Sequence, residues 1–306
     1  MIAVRPATAA DEPGILAVWD EAFGEPDMAP RWRLDPNRRS WTLVAADGDD
    51  VLGALYLVDQ RRRSASGRIA RVLGLANVAV AERARGRGIA RALTDEAVAF
   101  GRRAGYDWSL LFTGTPGVYE PSGYRVFDQR RRRTAPIAPG ASAGRPTRLR
   151  TGGADLLTRP GVGALHDRDA ERPLAAVRDE LGWRRAASWY AGTRVHVLDG
   201  TDGRPRAYTV TRTTGAPALL EAAGEAPALE ALGAAVRDDL LRSGASTVSI
   251  EVPAGEPFDG LVAAIATDPV DEPDRTGMFH PLDADPDAVL DTFDHPRAFH
   301  WTGDYL

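Results

Sequence analysis

The stretch Val78-Ala79-Val80-Ala81-Glu82-Arg83-Ala84-Arg85-Gly86-Arg87-Gly88-Ile89-Ala90 decides how this chain folds. An apolar run enters a turn with two glycines, and residues at helical spacing follow at once. Ile89, Leu93, Ala97, Phe100 and Ala104 recur three or four positions apart, so the segment predicts a helix with one apolar face. Without a Cβ, Gly86 and Gly88 can turn the backbone tightly and leave its N–H groups open to approach. The helix start adds donors that have no partner within the helix and a favourable dipole. Strand, glycine turn and helix therefore form a cradle for a phosphate-bearing ligand.

Two common phosphate loops are excluded. Gly-x-x-x-x-Gly-Lys-(Ser/Thr) cannot occur, because the chain contains no lysine, and Gly86-Arg87-Gly88 is not completed to Gly-x-Gly-x-x-Gly. Arg85-Gly86-Arg87-Gly88-Ile89-Ala90 instead resembles the (Gln/Arg)-x-x-Gly-x-(Gly/Ala) loop of the GNAT superfamily of acyl-CoA-dependent N-acetyltransferases. Further along, Tyr119-Glu120-Pro121-Ser122-Gly123-Tyr124 resembles that family's Tyr-x-x-x-Gly-(Phe/Tyr) segment, after the strand-like Trp108–Phe112. Read alone, the loop is also compatible with a surface turn opening an ordinary helix.

Upstream, Ile2–Arg5 reads as a strand and Asp11–Phe23 as a helix, capped by Asp11 or the threonine before it. Trp41–Ala46 and Val51–Val58 form a hairpin across Asp47-Gly48-Asp49-Asp50, and Arg71–Val80 delivers the chain to the loop. This order resembles the GNAT fold from residue 1 to 133. Thr134–Pro146, rich in proline, glycine and small residues, reads as a linker. The plan then repeats: Thr147–Arg150, a hairpin of Arg194–Leu198 and Arg206–Arg212, Pro217–Ala223, the amphipathic Pro227–Arg242 and Thr247–Val252. The expectation is an α/β (α+β, mixed-sheet) protein of tandem GNAT folds. Residues 1–133 would be the active half and 147–306 a degenerate one with a C-terminal tail. In the second copy Ala222-Ala223-Gly224-Glu225-Ala226-Pro227 replaces the loop; Glu225 opposes an anion and Pro227 lacks a donor, so this half is not expected to bind CoA. The layout is similar to Eis-type acetyltransferases without their extra C-terminal domain, since the chain stops at Leu306, and also to the mycothiol synthases.

The resemblance implies acetyl-CoA as co-substrate. Val78, Ala79 and Val80 would hold its pantetheine and carbonyl. The diphosphate would fall on Gly86, Arg87, Gly88, Ile89, Ala90 and Arg91, with charge from Arg85, and Gly114 and Thr115 would touch the same molecule. Tyr119 would protonate the leaving thiolate; a phenol stays protonated at neutral pH, although a tyrosine beside a glycine turn also packs well. Arg71–Val80 holds no carboxylate, so the base is sought elsewhere. By analogy with Eis-type enzymes it would be the terminal carboxylate of Leu306, with Asp304 and His300 as rivals, or the aromatic tail simply packs.

Composition sets the remaining bounds. At 306 residues with 43% hydrophobic content the chain can bury two cores, and without cysteine it has no disulfide, thiolate site or cysteine nucleophile. A net charge of −5 argues against nucleic acid; Arg61–Arg63 and Arg130–Arg133 lack interleaved aromatics and read as a solvated face or an oligomer contact. No signal or spanning segment is read, so the expected location is cytoplasmic. The histidines at 166, 196, 280, 295 and 300 show no metal spacing. The leading expectation is direct transfer of acetyl to a primary amine of a small molecule. The alternatives are a non-catalytic acyl-CoA-binding regulator or a protein lysine acetyltransferase, in each case with a homo-oligomer open.

Overall fold

In the computed structural model, which describes residues 1–25, 28–140, 146–169 and 172–305, the chain builds two seven-stranded mixed sheets. It begins with β1 (Ala3–Pro6), α1 (Glu12–Phe23), α2 (Met28–Arg33), β2 (Thr42–Asp47), β3 (Asp50–Arg63), β4 (Ile69–Val80), α3 (Ile89–Arg103), β5 (Trp108–Phe112) and β6 (Arg125–Val126). Then come β7 (Gln129–Pro136), β8 (Leu149–Gly152), α4 (Val162–Asp169), α5 (Glu180–Trp189), β9 (Arg194–Asp199), β10 (Pro205–Arg212), β11 (Ala218–Gly224), α6 (Ala226–Arg242), β12 (Thr247–Ile250), α7 (Asp259–Ile265) and β13 (Val270–Asp274). The last elements are β14 (Gly277–Pro281) and α8 (Pro286–Phe293).

The first sheet runs β1-β2-β3-β4-β5-β14-β6 and the second β13-β7-β12-β11-β10-β9-β8. Each has an antiparallel meander of four strands, then a helix that crosses over to a parallel fifth strand, β4 to β5 by α3 and β11 to β12 by α6. The internal duplication read from the sequence is thus present in the strand order.

Helices explain why β3 is apolar on both faces. Every residue from Val51 to Val58 is buried, as in a sheet covered on both sides. On one side α1 sends Ile15, Val18 and Trp19 into a core with Val44, Val51 and Ala54. On the other, α3 packs Ile89, Leu93 and Ala97 against Leu43, Leu55 and Leu73. Two signals read from the sequence are realised here. Gly48 takes a φ of 62° in the β2–β3 turn. At the start of the first helix, the Thr8 hydroxyl and amide both donate to Asp11 Oδ2 at 2.7 Å.

The domain boundaries differ from those expected. One compact unit comprises residues 1–128 with 275–294, the other 129–274 with 295–305. β14 enters the first sheet between β5 and β6, and Phe279 stacks on Phe293 of α8 at 4.2 Å. β7 enters the second sheet beside β12, so Thr134–Pro136 are strand and not linker; Ala141–Arg145 of the expected linker lie outside the described residues. The reason is long-range pairing: Arg130–Arg133 look solvated in sequence, but β7 finds partners in β12 and β13. Arg133 donates to the Val252 carbonyl oxygen at 3.2 Å, and burial lowers its pKa. Arg62, within the other arginine run, is fully buried and donates to Gln60 Oε1 at 2.7 Å. Neither run is simply a solvated face.

Candidate functional site

A break in the first sheet makes the site. β4 and β5 pair in parallel from Val72↔Trp108 to Leu75↔Leu111 and no further among the described residues. On its other edge β4 carries a bulge, since Tyr56 faces Ala76 whereas Ala54 faces Ala79. At the bulge Asn77 has a φ of 52°, and its carbonyl oxygen accepts from Trp19 Nε1 at 2.7 Å. A bulge bends and twists its strand, so β4 swings away from β5 over Ala76–Val80. Of the residues expected to hold pantetheine, Val78 and Val80 are half-buried and Ala79 is buried on that splayed half.

The glycine turn follows. Gly86 and Gly88 have φ values of 74° and 75°, a left-handed conformation that costs other residues about 1–2 kcal/mol. A Cβ at either would meet no heavy atom within 4 Å, so the backbone there faces open space. Gly88 is the N-cap of α3; it offers no side chain to cap the helix, and the first turn holds no acid. The first helical bond is Ala92 N–H to the Gly88 carbonyl oxygen at 3.0 Å, so the amides before Ala92 have no acceptor within the helix. That end of α3 is therefore suited to an anion.

These parts border one cavity of about 280 Å³. Val80, Arg85, Gly86, Gly88, Ile89, Ala90 and Arg91, all read from the sequence, line it together with Ala84 and Val118. Arg85 and Arg91 are exposed and loosely paired, with Glu82 at 3.3 Å and Asp95 at 3.5 Å. Arg87 is exposed outside the lining, and so are Gly114 and Thr115 past the end of β5. Val118, which directly precedes the Tyr-x-x-x-Gly-Tyr segment, is a lining residue that the sequence does not assign to the site. It is an exposed apolar residue in a loop, and periodicity does not reach it.

Val118 leads directly into Tyr119, which sits between two short 3-10 turns, Pro116–Val118 and Glu120–Ser122. The Tyr119 ring is buried edge-on to Tyr124 at 6.2 Å. Its hydroxyl has no hydrogen-bond partner among the described residues, whereas Tyr124 donates to Ser109 Oγ at 2.6 Å, which itself donates to the Leu73 carbonyl oxygen. Burial pushes the Tyr119 pKa up to about 12, so it holds its proton at any physiological pH. Tyr124 is a core residue, while Tyr119 is a phenol with a spare proton.

Of the candidates for a base, Leu306 lies outside the described residues. Asp304 is buried and accepts from Arg178 Nε at 2.6 Å, and His300 is buried with Nδ1 at 3.0 Å from the Trp301 carbonyl oxygen. Both belong to the second unit, so the tail does pack. Among the described residues no cluster of three potential metal ligands is present, and no helix is long and apolar enough to cross a membrane.

Residues 3–127 match the family model described as acetyltransferase (GNAT) domain. No curated protein matches the chain. Among solved structures, a GCN5-related N-acetyltransferase from Anabaena variabilis is similar over 92% of this chain and 73% of its own, with a TM-score of 0.73 and 15% identity. One from Kribbella flavida covers 92% and 71%, with a TM-score of 0.67 and 20% identity. Eis1 from Mycobacterium abscessus covers 92% and 74%, with a TM-score of 0.64 and 16% identity. At such identities the likeness establishes the fold, and it runs through both sheets.

Proposed function

We propose, on the premise that residues 3–127 of this chain are a GNAT acetyltransferase domain, that the protein transfers the acetyl group of acetyl-CoA directly to a primary amine of a small molecule. The observation that carries this reading is that one cavity is bordered by the Gly86–Gly88 turn, the first turn of α3 and Val118, the residue before Tyr119. Acetyl-CoA supplies the thioester. The amides around Gly88 and the first turn of α3 receive its diphosphate, with Arg85 and Arg91 adding charge. The splayed half of β4, from Val78 to Val80, offers main-chain groups to the pantetheine. As the amine nitrogen bonds to the acetyl carbon and the carbon–sulfur bond breaks, Tyr119 gives its phenolic proton to the thiolate. A base takes the proton from the amine.

The test is release of free CoA with polyamines, aminoglycosides, amino acids and peptides as acceptors, for the native protein and Tyr119→Phe. General-acid catalysis contributes about 10²–10⁴-fold, so the variant should lose turnover on that scale while calorimetry shows unchanged binding of CoA. Turnover on peptides alone would replace the small-molecule acceptor with protein lysines. Binding without turnover on any acceptor would make the protein a regulator, and no binding would end the reading.

A further inference from the structure

The second unit repeats the break in the sheet and then closes it. β11 and β12 pair in parallel at Ala218↔Ser249 and Leu219↔Ile250, and among the described residues Glu221 to Gly224 of β11 pair with β10 and not with β12. In the first unit the matching wedge between β4 and β5 leads to the cavity at Gly86. Here the chain's own C-terminal segment enters. Thr302 Oγ1 donates to Glu251 Oε2, just past β12, at 2.6 Å. The Gly303 amide donates to the Tyr190 hydroxyl at 2.6 Å, and that hydroxyl donates to Glu221 Oε2 on β11, also at 2.6 Å. Arg178 joins both sides: it donates to both Glu221 oxygens, at 2.8 and 2.7 Å, and through Nε to Asp304 at 2.6 Å.

This is a built site. The Arg178 and Asp304 side chains are only 2% and 3% exposed. Trp301 packs between Phe258 and Phe299 at 6.0 and 4.9 Å. A Cβ on Gly303 would come within 2.6 Å of the Tyr190 ring, so the fit at that position requires glycine. Glu221 and Asp304 would both repel a diphosphate brought into the same wedge.

We infer that the second unit is a receptor for the chain's own C-terminal segment: the wedge between β11 and β12 binds residues 299–305, Arg178 recognises the Asp304 carboxylate, and this unit takes a peptide where the first takes a thioester carrier. The inference goes beyond the acetyltransferase reading, and its main readout needs no CoA.

Hydrogen exchange by mass spectrometry on the full chain tests it. In the native protein the amides of 299–305 should be protected. In Asp304→Asn they should exchange at least about tenfold faster, with the first unit unchanged. If Asp304→Asn loosens the whole second unit, Thr302→Val, which removes only the bond to Glu251, should still loosen the tail alone. Native mass spectrometry should count no more than one CoA per chain. Tail amides exchanging freely in the native protein, tail protection untouched by Asp304→Asn, global loosening in Thr302→Val as well, or a second bound CoA would each overturn the inference.

Discussion

His280 Nδ1 lies 2.8 Å from the carbonyl oxygen of Gly123, and its ring fills the space that any side chain on Gly123 would need. A Cβ there would come within 2.6 Å of the ring, and Gly123 has a φ of 91°. The glycine of the Tyr-x-x-x-Gly-Tyr segment is therefore fixed by β14, a strand that joins the first unit from far along the chain. Gly123→Ala should cost about 1–3 kcal/mol, seen as a lower urea midpoint, and should lower turnover by displacing Tyr119. Native turnover and midpoint in this variant would show that the loop does not depend on the contact.

The same histidine gives a pH signature. Its Nδ1–H donates to Gly123, and Nε2 faces Arg102 at 3.2 Å as acceptor, which requires a neutral ring. Burial first, then the charges of Arg102 and Arg125, hold its pKa below the ordinary value. A depressed folded pKa means that this stability is complete above the unfolded value of about 6.5 and is lost as pH falls through the lower folded one. His166 in the second unit is lowered in the same direction, so the measurement must be a difference. The stability gap between the native protein and His280→Gln should shrink below about pH 6.5. A gap that stays constant into acid would refute the neutral-ring assignment.

Gly88→Ala tests the cradle without disturbing the core, because nothing lies within 4 Å of the added methyl. With a φ of 75° at the helix N-cap, alanine should tilt the amides of the first turn. The dissociation constant for CoA should rise about tenfold, equal to about 1.4 kcal/mol. Arg87→Ala, at an exposed and screened charge outside the cavity, should change it by only about two- to threefold. Calorimetry at one salt concentration separates them, and equal effects would place the diphosphate elsewhere.

What the sequence revealed is what local residues determine. The hairpins over Asp47–Asp50 and Asp199–Gly203 announced themselves through turn residues, and α3 and α6 through spacing. The loop from Arg85 to Arg91 was legible because glycine alone settles its backbone. β7, β14 and α8 were not, since Gly277–Pro281 is five residues bounded by glycine and proline, and β7 carries a run of arginines. Such strands exist only through partners more than a hundred residues away, β5 for β14 and β12 for β7. The polar cluster around Arg178 was hidden for the same reason: its members stand at 178, 190, 221 and 304.

Asn77 is the one local signal in β4 that periodicity passes over. An asparagine inside an apolar strand tolerates the left-handed region, where β-branched residues do not belong. With a φ of 52° and its carbonyl oxygen held by Trp19, it sets the bulge that takes β4 away from β5. If the splay depends on that conformation, Asn77→Gly should keep CoA affinity within about threefold, because glycine adopts the same backbone freely. Asn77→Val should oppose the positive φ by about 1–2 kcal/mol or more, favour a straight strand and weaken CoA binding by about tenfold or more. Comparing the two variants by calorimetry, with urea midpoints to confirm that both are folded, isolates the bulge from the asparagine side chain. Equal affinity in the folded valine variant would mean that the opening between β4 and β5 has another cause.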